Sequence, residues 1–327
     1  MIDLDTRLLG KSGIPVTRIG LGLWGISGVG SGPGLGPTDD EESLATIEVA
    51  LNAGVTFFDT ADTYGDGHSE RLLGQAISGR REHCIIATKI GWKDFDRKHR
   101  TTAYNTAEKL ITGVEGSLRR LQTDYIDVIQ SHIDFRDPTM EVFLEGFRKL
   151  KEAGKVRTFG VSTGDFDYLQ SFNAGGDCAT LQIEYNLLNR KPEREIFPYC
   201  LEHDIGVIVR GPLAMGILTG KFDANTLFVE GDVRRHWQDD HNQHSMFLDG
   251  LAKVERLRPL TQGRTLAQLA LQFILAHPAV ITVIPGAKTP RQFLENLDAL
   301  RKPRLTETEW SEIDAITLPG SGRVVRS

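Results

Sequence analysis

Short apolar, β-branched runs alternate along this chain with longer segments whose apolar positions recur at helical spacing. Eight runs read as strands: Gly20 to Leu23, Val55 to Asp59, Cys84 to Lys89, Tyr125 to Gln130, Thr158 to Ser162, Thr180 to Ile183, Gly206 to Val209 and Ile281 to Ile284. The first helix is predicted after Thr38, with Asp39, Asp40, Glu41 and Glu42 in its opening turn. A second spans Ser69 to Ser78, with Ser69 as its N-cap. Others follow over Asn105 to Leu121, Met140 to Ala153, Glu193 to Glu202, Leu266 to Ala276, Pro290 to Leu300 and Thr306 to Ile316.

Strands that alternate with helices imply parallel pairing and right-handed crossovers. Eight such units predict an α/β fold of the (β/α)8 TIM-barrel type, carried on one domain over residues 1–327. The excess length falls in three places: a hairpin over Arg7 to Pro15, an insert from Leu213 to Phe247 after the seventh strand, and the terminal helix. A doubly wound sheet is the competing architecture. It finds superficial support in GLGLWG, residues 20–25, which fits G-x-G-x-x-G. That fingerprint requires a helix opening directly on the bound pyrophosphate. Here Ile26 to Pro37 is rich in Gly and Pro, the two poorest helix formers, so the doubly wound reading is rejected.

Composition narrows the field. The chain has 327 residues, 40% hydrophobic and 25% charged, with a net charge of −6. No basic cluster suggests a nucleic-acid partner and no apolar run is long enough to span a bilayer. The polar N-terminus does not read as a secretory signal. Cys84, Cys178 and Cys200 show no C-x-x-C spacing, which suits a reducing, cytoplasmic setting. His236, Asp239, His241 and His244 are the nearest approach to a metal set. WQDDHNQH reads more simply as a solvated loop, so no metal is expected.

In such a barrel, function sits at the C-terminal ends of strands. The second strand ends at Asp59, with Asp62, Tyr64 and Asp66 in the loop beyond. The third ends at Lys89, the fourth at Gln130-Ser131-His132, the fifth at Ser162-Thr163, and the sixth carries Gln182. A lysine closing so apolar a run needs a carboxylate, and Asp59 is on the adjacent strand end. An ammonium beside Tyr64 would lower its pKa and make it a usable proton donor and acceptor. His132 could orient a carbonyl oxygen. Singly, each residue has a plainer reading: Lys89 a surface ion pair, Tyr64 a loop aromatic, His132 a core histidine. Together, on successive strand ends, they surround one spot where a carbonyl becomes an alkoxide.

These stretches resemble the aldo-keto reductases. The matching segments are GLGLWG, FFDTADTYGDGHSE, ATKIGW, DVIQSHI, FGVSTG, LQIEYN, GPLAMGILTGKF and VIPGAKTPRQFLENL, in the family's order along nearly the whole chain. GDVRR in the insert is similar to the longer-loop bacterial type. The resemblance implies a catalytic tetrad of Asp59, Tyr64, Lys89 and His132, with Tyr64 as general acid in reduction and base in oxidation. It implies a nicotinamide cofactor extended across the barrel mouth, NADP(H) in preference to NAD(H), and a small carbonyl or alcohol as substrate. Gly22, Leu23, Trp24 and Asp59 would lie against the cofactor. Ser162, Thr163 and Gln182 would hold its carboxamide. Gly211, Pro212 and Leu213, with Lys221, Asp232 and Arg234, would hold the pyrophosphate. Gly286, Lys288, Thr289, Gln292, Glu295 and Asn296 would grip the adenosine end, with Lys288 suited to a 2′-phosphate.

Two positions depart from the family pattern. Arg210 stands where an aromatic often stacks on the nicotinamide, and Thr163 where Asn often follows the serine. Trp24, Trp92 and Phe135 fall at mouth positions and read equally as pocket lining or packing. The insert's charges, taken alone, suit a disordered surface loop. Two rival functions follow from the same residues. One is a cofactor-binding regulatory subunit with little turnover, like the channel-associated branch of the family. The other is a Schiff-base enzyme with Lys89 as nucleophile.

Overall fold

The computed structural model describes residues 4–28, 30 and 34–322. It opens with the expected hairpin, whose strands β1 (Thr6–Leu8) and β2 (Pro15–Thr17) pair antiparallel around a tight turn over Gly10–Ser12. Eight parallel strands follow: β3 (Leu21–Gly22), β4 (Phe57–Asp59), β5 (Ile85–Ile90), β6 (Ile126–Ser131), β7 (Val156–Ser162), β8 (Thr180–Glu184), β9 (Gly206–Arg210) and β10 (Val280–Val283). They pair in chain order. Parallel bridges Ile19↔Val283 and Gly22↔Gly286 join the first to the last and close the barrel.

GLGLWG belongs to that closure. A Cβ on Gly22 would come 2.8 Å from the Ile284 carbonyl oxygen, so β3 can approach β10 only with glycine there. The motif ends in a short turn over Trp24–Ile26. Of the Gly/Pro-rich stretch beyond, positions 29 and 31–33 lie outside the described residues. The next helix is α1 (Asp40–Asn52), capped by Asp39, whose side chain accepts from the Glu42 amide at 2.8 Å.

The outer helices are α2 (His68–Ala76), α3 (Ala107–Leu121), α4 (Thr139–Glu152), α5 (Phe166–Phe172), α6 (Ile196–Glu202), α7 (His236–Asp239), α8 (His241–Leu257), α9 (Leu266–Ala276), α10 (Pro290–Leu297) and α11 (Glu307–Ile316). Among the described residues, none is long and apolar enough to cross a membrane. Ser69 does not cap α2, which starts one residue earlier after Gly67 in the left-handed region. The Ser69 hydroxyl is buried instead, donating to the Leu23 carbonyl at 3.2 Å and accepting from Thr60 Oγ1 at 2.8 Å.

The insert differs from a disordered loop. Trp237 stacks on Phe247 at 5.0 Å, and Phe222 and Phe228 pack edge-on around them, which gives the segment its own apolar centre. WQDDHNQH is helical rather than a solvated loop, because Asp240 caps α8 by accepting from the Gln243 amide at 2.9 Å.

The barrel interior is layered. Phe57, Ala87, Val128, Ile208 and Ile284 fill its lower part, and Leu9, Ile14 and Val16 of the hairpin seal it from below. Two residues further along the same strands, hence on the same face, stand Asp59, Lys89 and Gln130. Gln182 joins them from β8. The apolar plug therefore carries a polar layer directly beneath the mouth.

Candidate active site

Lys89 is fully buried. Its Nζ donates to Asp59 Oδ1 at 2.6 Å, to the Thr60 carbonyl at 2.8 Å and to the Tyr64 hydroxyl at 3.1 Å. These three acceptors match the three protons of an ammonium. Gln182 Nε2 donates to the other Asp59 oxygen at 2.7 Å, across the barrel. The Tyr64 ring meets His132 edge-on at 5.7 Å and faces Trp24 at 6.4 Å. The four residues expected to act together are thus brought to one spot.

Their electrostatics follow from burial. Burial works against the charge on Lys89, but Asp59 and Tyr64 outweigh it and hold the ammonium above the ordinary lysine range. Burial pushes the Asp59 carboxyl up, while Lys89 and the Gln182 bond pull it back. His132 is held well below the ordinary histidine range by burial, then by the charges of Lys89 and Arg210, so its ring is neutral.

Tyr64 corrects the expectation of a lowered pKa. Burial raises the phenol, Asp59 adds to the rise, and the pull of Lys89 and Arg210 does not overcome them. Tyr64 therefore keeps its proton at neutral pH.

The loop between Asp59 and Tyr64 has its own support, which the strand-end reading passed over. Glu70 is fully buried and accepts from Arg120 Nε at 2.6 Å and Thr88 Oγ1 at 2.6 Å. Asp62 has one buried oxygen without a partner and accepts from the Tyr104 hydroxyl at 3.3 Å with the other. Burial first, then the Glu70 charge, raises its pKa to about 7. The available signal was an acid at position 70 on the apolar face of a helix.

Around the mouth, Ser162 pairs in register with Gln182, and the Thr163 amide donates to the Gln182 carbonyl at 3.1 Å. The Leu23 amide donates to the Asp59 carbonyl at 2.9 Å. Arg210 ends β9 half-exposed, 3.8 Å from Glu184. Gly211 turns there at φ 59, before the buried Pro212 and half-buried Leu213. Trp92 lies edge-on to His132 at 5.9 Å. Phe135 does not reach the mouth: it is fully buried between Phe95 and Phe143, because the Trp92–Phe95 pair covers it.

On the far side, Asp232 is buried and accepts from Arg234 Nε at 2.9 Å, and it forms a bridge with Leu35. Lys288 Nζ donates to the Leu35 carbonyl at 2.7 Å. Burial lowers both the Lys288 and Lys221 ammoniums, and Arg234 lowers them further against the opposing pull of Asp232. Three cations thus share one carboxylate, which is an environment short of negative charge. Beside it, Thr289 caps α10 by accepting from the Gln292 amide at 3.2 Å. The Gln292 side chain in turn accepts from the Lys288 amide at 2.9 Å. Gly286 and Glu295 are exposed, and Asn296 is buried beneath them.

A closed barrel with a buried Lys–Asp–Tyr cluster at its mouth and a cationic arm beside it defines a class of protein. Residues 18–318 match the aldo/keto reductase family, and the chain belongs to it. Aldo-keto reductase YhdN of Bacillus subtilis (strain 168) is 35% identical over 322 residues, 96% of this chain and 93% of the relative. The holo form of aldo-keto reductase AKR11C1 from Bacillus halodurans has the same fold at a TM-score of 0.78 and 30% identity, over 98% of each chain. An aldo/keto reductase from Klebsiella pneumoniae, solved in complex with NADP and acetate, aligns at a TM-score of 0.71 and 27% identity, over 96% of this chain and 95% of that one.

Proposed function

We propose that this chain is an NADP(H)-dependent oxidoreductase that interconverts a small carbonyl and its alcohol, with Tyr64 as the general acid and base. The observation that carries the reading is the Lys89 ammonium, bonded at once to Asp59 and to the Tyr64 hydroxyl. NADP(H), when bound, supplies or accepts the hydride at the substrate carbon.

The chain's own residues handle the proton and the cofactor's grip. Tyr64 holds its proton until charge develops on the substrate oxygen, then gives it up, and Lys89 stabilises the phenolate left behind. Asp59 and Gln182 keep the Lys89 head from turning away. His132, neutral, offers a ring nitrogen to the same oxygen. Ser162, Thr163 and Gln182 stand where a carboxamide could be held, with Gly22 to Trp24 and Gly211 to Leu213 flanking the mouth. The under-neutralised set of Lys221, Arg234 and Lys288 suits phosphate groups, and Lys288 beside the N-terminus of α10 suits a 2′-phosphate.

The same geometry speaks against Lys89 as a Schiff-base nucleophile. An ammonium with three acceptors and a raised pKa is a poor amine. The test is initial-rate oxidation of NADPH and NADH over aldehydes, ketones and sugars, with the reverse reaction on alcohols. Turnover with NADPH ahead of NADH is expected. Tight NADPH binding with no turnover on any carbonyl would favour the regulatory-subunit reading instead.

A further inference from the structure

Among the described residues, the barrel's polar layer contains groups that the tetrad does not use. Gln130 is fully buried on β6, and neither its Oε1 nor its Nε2 has a hydrogen-bond partner in the protein. Two residues on, hence on the same interior face, His132 has its Nδ1 buried without a partner. Thr180 Oγ1 is likewise buried and unpartnered. Gln130 pairs with Gly160, and Gly160 with Thr180, so the three residues sit side by side on β6, β7 and β8. A side chain at Gly160 would fall on the Thr180 carbonyl and hydroxyl, so that hydroxyl lies across the glycine toward Gln130.

Buried polar atoms of this kind are rarely left unsatisfied, and water is their usual partner when protein is not. Three of these atoms lie in one row of the interior and His132 Nδ1 stands one step above them, an arrangement that fits one shared hydration site better than four separate defects. An amide, a hydroxyl and an imidazole nitrogen around it provide both donors and acceptors.

We propose that Gln130 is a positioning residue. Its amide N–H donates to water held between it, Thr180 and His132, and that water donates to Nδ1 while His132 presents Nε2–H to the substrate oxygen. The proposal rests on reading the mouth as a carbonyl-reducing centre. A neutral imidazole has one N–H, and the partner of one nitrogen decides which nitrogen carries it. Nδ1 faces the buried water. The residue is only partly buried, so with Nδ1 enclosed Nε2 is the nitrogen left for the mouth. A donor on the inner side therefore makes Nε2 the donor on the outer side.

Histidine 15N NMR of the cofactor-free protein reads this directly, with the His132→Asn spectrum assigning the resonances. The wild type should show a protonated Nε2 and a bare Nδ1. Gln130→Glu, once its carboxyl is ionised at raised pH, offers acceptors only, so the proton should then move to Nδ1. Turnover should then fall by about 10²-fold, the share of one oriented donor, with NADPH affinity unchanged. Gln130→Met removes both amide atoms and should bring the two ring nitrogens toward intermediate shifts, which keeps the test open if the glutamate variant does not fold. A protonated Nδ1 in the wild type, or the wild-type pattern in both variants, overturns the proposal. Loss of turnover in Tyr64→Phe with either of those spectra would sink the Gln130 assignment and leave the proposed function standing.

Discussion

The Lys89 ammonium stands 3.1 Å from the Tyr64 hydroxyl and 2.6 Å from Asp59 Oδ1 inside the barrel. Lys89→Met leaves Asp59 buried without its cation, which costs about 3–5 kcal/mol. Removing both charges, in Asp59→Asn with Lys89→Met, should recover most of that loss in urea denaturation. Turnover should stay lost in the double variant, since the phenolate of Tyr64 would have no cation beside it.

Asp62 makes stability depend on pH. Its folded pKa of about 7 lies above the ordinary value of 3.8. Between those values the folded protein binds more proton than the unfolded chain, so this group's contribution falls as pH rises and is fully lost above pH 7. Asp62→Asn removes the penalty. The variant should therefore gain on the wild type at pH 8 relative to pH 5, by at most about 3 kcal/mol, because the window between pH 5 and the folded pKa spans about two units. Urea midpoints at the two pH values check both sign and size.

Lys288 should separate the two cofactors. If its ammonium meets a 2′-phosphate, Lys288→Met should weaken NADPH binding by about 10- to 100-fold and leave NADH within a factor of about two. Fluorescence titration of both dinucleotides reads the ratio. Equal losses for the two would assign Lys288 to the part they share.

Leu9 tests the division between the barrel's two ends. It is fully buried against the lower interior layer with Phe57, Val128 and Ile208. Leu9→Ala should cost about 2–5 kcal/mol in stability. Because the mouth lies beyond the polar layer, the kcat and KM of the folded variant should be unchanged.

The barrel was legible because its strands are short β-branched runs with polar residues at their C-terminal ends, and the pleat puts Asp59, Lys89 and Gln182 on one interior face. Other features depend on contacts that no local pattern carries. Ser69 looks like a cap, yet Thr60 and the Leu23 carbonyl claim its hydroxyl. α8 begins with a polar turn, so its apolar face at Phe247, Val254 and Leu257 emerges only past the polar run read as a loop. α5 is a single capped segment of seven residues, too short for a periodicity to show. The direction of the Tyr64 shift was not legible either, since it rests on the balance between burial, Asp59 and Lys89 rather than on any one neighbour.

The most direct measurement is Tyr64→Phe, followed by NADPH affinity and by turnover on a carbonyl that the wild type reduces. The phenyl ring keeps the packing against Trp24 and His132 and removes only the hydroxyl. NADPH affinity should stay within about twofold of the wild type, and kcat should fall by about 10²- to 10⁴-fold. A variant that binds NADPH and still reduces the carbonyl at the wild-type rate would contradict Tyr64 as the general acid and base.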